Sequence, residues 1–170
     1  MHIFKWLAAA AVALSAACSY AEQATPQKDI TPKEEVAAVV ESFRQAIIDK
    51  DEKTFVNLFF DQSVNWMSVN GARRSGSLPS QSGINIGSYR GLIGWLVSTD
   101  VKAEEKFRDV HIMTDGEIAS VHFKYSFYEG DYKHNWGDES WQLMKTADGW
   151  KIVSVIYSIV DNPQPNEKES

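Results

Sequence analysis

Apolar residues recur at helical spacing in the first third of the chain and at every second position through its last third. Val36, Val40, Phe43 and Ile47 follow one another at four- and three-residue steps, widened by Val39 and Ala46, with Glu35, Glu41, Arg44 and Gln45 opposite. Thr31-Pro32-Lys33-Glu34 supplies an N-cap threonine, a first-turn proline and a glutamate at the third helical position. Together these predict an amphipathic helix ending near Lys50. Asp51 caps a second, shorter helix whose apolar side is Phe55, Leu58 and Phe59. Ser88 caps a third over Tyr89–Ser98, with Leu92, Ile93, Leu96 and Val97 inward and Trp95 at a flank.

Between the second and third helices, Ser63–Val69 reads as a strand, Val64 and Trp66 alternating with Asn65 and Met67. Gly71–Gly87, rich in serine and glycine, reads as a surface loop or a flap at a pocket mouth. From Ala103 onward the period is two. Strands are expected over Lys106–Met113, Glu117–Tyr128, Lys133–Lys145 and Trp150–Val160, with Asp-and-Gly turns at 114–116, 129–131 and 147–149. The last hairpin, Glu139–Val160, is the scaffold onto which the upstream elements pack. Its second arm is apolar on both parities, with Ile152 and Ile156 against Val153, Val155 and Ile159. A strand buried on both faces needs cover on both, so a homodimer is expected.

The ends of the chain are of another kind. Met1–Ala21 has the basic start, apolar run and small-residue exit of a secretory signal peptide, and is too short for a membrane span. Cleavage is expected after Ala21, giving a periplasmic or secreted protein; a lipid anchor on Cys18, the only cysteine, is the rival outcome. Residues 22–31 form a lead-in, 32–160 the single domain, and 161–170 a polar tail. A cysteine-free mature domain must rely on its core rather than on disulfides. The formal charge of −6 and a pI near 5.2 argue against a nucleic-acid partner. Among His2, His111, His122 and His134 no pair has metal-ligand spacing, so neither a metal nor a cofactor is implied.

This order of elements is α+β: three helices and one strand, then a four-stranded antiparallel meander. With the residues Val36–Lys50 followed by Asp51, then Asn57–Val64 and Asp148–Val153, the chain resembles the nuclear transport factor 2-like superfamily over about Thr31–Val160. The superfamily includes ketosteroid isomerases and SnoaL-like cyclases. The resemblance implies a curved, mainly antiparallel sheet closed by the helices into a cone with an interior pocket, often paired into a homodimer. It also bears on chemistry. The isomerases hold an enolate with a tyrosine and a protonated aspartate and move a proton with an aspartate base. Matched to that pattern, Phe43 stands at the tyrosine position and Met67, or Ser68 one residue on, at the base. Only the third position, Glu139, carries a carboxyl. With two of three roles vacant, steroid-type isomerisation is excluded.

Two sources of function remain. The inward set of the meander is expected to be Val121, Phe123, Tyr125 and Phe127, then Glu139, Trp141 and Leu143. This is a core stripe, part of which becomes a ligand wall if the helices leave the wide end unfilled. The candidate pocket residues are Trp66, Met67, Tyr89, Trp95, Tyr125, Trp141 and Tyr157, and the candidate catalytic residue is Glu139. On an apolar face Glu139 favours its neutral acid form. The expected partner is a small apolar or aromatic molecule. A cyclase- or dehydratase-like enzyme with Glu139 as general acid and Tyr125 or Tyr157 as donor is the second reading. An interaction module with a filled interior is the third.

Overall fold

The computed structural model describes residues 29–70 and 83–162. The segment read as a signal peptide, most of the stretches read as lead-in and tail, and most of Gly71–Gly87 lie outside them. Helix α1 (Pro32–Asp49) starts at the anticipated capping box: Thr31 Oγ1 accepts from the Glu34 amide, and Glu34 accepts from the Thr31 amide at 2.8 Å. It ends at Lys50, whose left-handed backbone turns the chain, while its Nζ donates to the Thr99 carbonyl. Asp51 caps α2 (Glu52–Asn57), and Ser88 caps α3 (Tyr89–Ser98).

Six strands form one sheet: β1 (Asn65–Asn70), β2 (Ile84–Ile86), β3 (Ala103–Thr114), β4 (Ile118–Glu129), β5 (Tyr132–Thr146) and β6 (Gly149–Asp161). Their order is β2-β1-β6-β5-β4-β3, and all neighbours are antiparallel except β1 and β6. The sheet does not close on itself. The five-strand expectation is corrected by β2, which lies in the stretch read as loop. Three residues without alternating burial give no period to detect, and Met67, Ser68 and Val69 recruit them by edge pairing. The turn glycines Gly116, Gly130 and Gly149 all take positive φ. In β3 the register shifts between Arg108 and His111 around Asp109, also at positive φ, a bulge that bends the strand.

Helix α1 lies mainly against β3 and fastens its first turn to the last hairpin. Glu35 accepts from Trp150 Nε1 at 2.8 Å and pairs with Lys145, the two residues facing each other across β5 and β6. Between helix and sheet the core is largely aromatic. The Phe43 ring lies 4.7 Å from Trp141 and 4.9 Å from Phe55, Phe107 lies 4.3 Å from Phe123, and Phe59 stacks on Tyr89 at 4.0 Å. These buried rings fill the end of the interior under α1 and α2.

Candidate functional site

Alternation along each strand sends one parity inward, and away from the aromatic plug that parity changes character. Each of the five long strands contributes: Trp66 from β1, Glu105 from β3, Tyr125 and Phe127 from β4, Glu139 from β5, and Tyr157 from β6. Leu92 and Trp95 of α3 cover them. The space enclosed is a cavity of about 210 Å³.

The polar groups of this wall are mostly committed. Glu139 Oε1 accepts from Trp141 Nε1 at 2.6 Å, Tyr125 donates its hydroxyl to the Ser158 carbonyl at 3.0 Å, and the Tyr157 hydroxyl accepts from Trp66 Nε1 at 3.2 Å. Glu105 differs. Its side chain is 7% exposed, and among the described residues its Oε2 has no partner. Burial pushes Glu139 up to about 7, against the pull of the Trp141 hydrogen bond. Burial and then the charge of Glu139 push Glu105 well above the usual carboxylate range. Burial likewise raises Tyr125 and Tyr157. The site is thus a pair of buried carboxyls that resist ionisation, held among aromatic rings.

Of the residues singled out in the sequence, Trp66, Trp95, Tyr125, Glu139 and Tyr157 meet at this cavity. Three others are elsewhere. Trp141 lies one layer deeper, fully buried against Phe43 and Phe123, and reaches the site only through its bond to Glu139. Tyr89 faces away into the stack with Phe59, donates to the Asp61 carbonyl, and edges an open groove with Lys53, Arg90 and Lys151. Met67 has the opposite parity from Trp66 and stands on the outer face, level with Ile86 and Ile156. Glu105 escapes the sequence reading because the strand was begun at Lys106. Continuing the inward parity back from Phe107 would have reached it, and then Ala103. Asp61 and His122 have structural places. Asp61 accepts from the amide and hydroxyl of Ser63, and His122 is exposed on the outer face beside Ser140. No metal-binding cluster occurs among the described residues, and no helix there is long and apolar enough to cross a membrane.

A six-stranded, mostly antiparallel and unclosed sheet with α1 laid across it and a cavity beyond an aromatic plug is the nuclear transport factor 2-like fold. Solved structures bear this out. A dehydratase candidate of that family from Streptomyces avermitilis matches with a TM-score of 0.56 at 19% identity, over 76% of this chain and 96% of its own. A superfamily protein from Salmonella enterica matches at 0.55 and 19%, over 82% and 96%. A protein from Novosphingobium aromaticivorans, with a cystatin-like fold, matches at 0.57 and 13%, over 77% and 83%. No protein-family model and no curated protein matches the sequence.

Proposed function

We propose that this chain is an exported small-molecule-binding domain whose ligand occupies the cavity beneath α3. One observation carries the reading: Glu105 Oε2 is buried at the cavity with no hydrogen-bond partner among the described residues. A buried polar group left unpaired costs about 1–3 kcal/mol, and no hydrogen bond from the described residues offsets that cost. A ligand donor would. Native mass spectrometry of protein isolated from its producing cell tests this. A small-molecule adduct released on denaturation is the expected result. Its absence, with no shift of Tm across a library of single-ring compounds, would defeat the reading. The open cavity favours a binder over an interaction module with a filled interior.

An enzyme of the dehydratase kind is the second reading, supported by Glu139 held near 7, where a carboxyl can both give and take a proton. Glu139→Gln would abolish turnover in that case and spare it if the residue only shapes the wall. Two further parts of the proposal rest on other observations. Ile86, Met67 and Ile156 form one row on the outer face, with Ile86 85% and Ile156 54% exposed, which supports a homodimer through this face. Export rests on the sequence of residues 1–21. N-terminal sequencing of the mature protein should begin at Glu22, whereas a blocked, lipid-bearing Cys18 would identify an anchored form.

A further inference from the structure

We propose that the cavity takes a small organic cation, an ammonium or amidinium on an aromatic or short aliphatic body, with Glu105 as its counter-charge. The inference rests on the binding reading above and names the ligand class. Glu105 is the one carboxyl of the wall that the fold leaves with an unused buried oxygen, since Glu139 is engaged by Trp141 and the two tyrosines by Ser158 and Trp66.

Basic groups near β3 do not serve it. Arg44 of α1 pairs with Glu41 at 2.6 Å and with Glu104 at 3.7 Å, and Lys106 lies 3.5 Å from Glu104. Both cations address the opposite parity of the strand. The cavity wall contains no lysine or arginine among the described residues. Its titratable groups are Glu105, Glu139, Tyr125 and Tyr157, with Glu129 and His134 facing each other at 3.9 Å; α3 contributes only Leu92 and Trp95.

An anionic ligand would therefore meet three carboxyls, with His134, which already faces Glu129, as the one basic side chain of the wall among the described residues. A neutral donor could satisfy Oε2 but would leave the buried pair unable to ionise together. An ammonium group lets Glu105 give its proton to solvent, so that the ion pair left in the cavity is neutral overall. Trp66, Trp95 and Tyr157 line the cavity, and aromatic rings attract a cation. Size limits the body. At about 210 Å³ the cavity is below the roughly 300–1,000 Å³ of drug-sized sites, which suits a single ring.

Benzylamine, benzyl alcohol and benzoate separate the cases, titrated calorimetrically into the full chain at pH 6, 7 and 8. Benzylamine should bind, benzoate should not, and benzylamine affinity should rise with pH as the carboxyl releases its proton, by up to about tenfold per pH unit. Glu105→Gln should weaken benzylamine at least about tenfold, the equivalent of 1.4 kcal/mol, and weaken benzyl alcohol by less, since a glutamine oxygen still accepts a hydrogen bond. If the variant does not fold, the pH dependence of the unaltered chain still decides. Benzyl alcohol or benzoate binding as tightly as benzylamine, with no pH dependence, overturns the charge assignment and leaves a neutral-ligand site. Failure of all three probes and an adduct-free native mass spectrum overturn the binding reading together with this one.

Discussion

Replacing Glu139 with glutamine removes one titration from the interior while keeping the side chain's shape and an oxygen for Trp141 Nε1. Glu139 is 3% exposed, and burial lifts it from the ordinary 4.5 to about 7. Below 4.5 the folded and unfolded chains both hold its proton. Between 4.5 and about 7 only the folded chain does, so stability falls as pH rises through that interval. At about 1.36 kcal/mol per pH unit the whole interval amounts to about 3 kcal/mol, and Glu105, raised for the same reasons, extends the fall to higher pH. The exposed carboxylates Glu35, Glu41, Asp51, Asp61 and Asp115 act oppositely. Hydrogen bonds hold each below its ordinary value, so their contribution is present above that value and lost toward acid pH. Because they are common to both proteins, the difference between native and variant chains reports the Glu139 charge, together with the part of the Glu105 shift that this charge causes. Urea denaturation from pH 4 to 8 should show native stability falling relative to Glu139→Gln by about 3 kcal/mol. A difference constant to within about 0.5 kcal/mol, near the precision of extrapolation, would refute the assignment of a buried, reluctant acid.

Other consequences can be checked separately. A Cβ on Gly137 would stand 1.9 Å from the Ser158 carbonyl oxygen, the atom that receives the Tyr125 hydroxyl. Gly137→Ala should therefore cost at least the upper part of the about 1–3 kcal/mol typical of overpacking; an unchanged urea midpoint would show that the strands can part at no expense. Ile156→Asp places a charge in the outer apolar row, and light scattering should then give a monomeric mass where the native chain gives a dimeric one. A native chain already monomeric at micromolar concentration would remove the dimer altogether.

What could be read from the sequence was whatever repeats with a period or carries a cap. The long helix, Ser88 as the cap of α3, the three glycine turns and the inward parity of β4 and β5 are local signals, and the structure has them within a few residues. The third dimension of the site was less legible. Met67 and Trp66 are neighbours in sequence, yet parity puts them on opposite faces, and a position matched to a family pattern, as Met67 is, need not respect parity. Trp141 shares the parity of Glu139 but lies deeper, because Phe43, absent from any local pattern on β5, closes the interior above it. Glu105 is hidden by a strand boundary three residues late, at Lys106 instead of Ala103. Its significance comes from Glu139 on another strand, a relation that no window along the chain contains.

The place of β6 in the sheet sets a timetable. Strand β6 is bonded on both sides, to β5 and to β1, and among the described residues β1 otherwise pairs only with the three residues of β2. Asn65 must therefore wait for Ser154, its partner in β6, to be synthesised. At about 5–20 residues per second that delay is on the order of ten seconds. Until it ends, the two parts of the sheet on either side of β6, β2-β1 and β5-β4-β3, have no strand to join them.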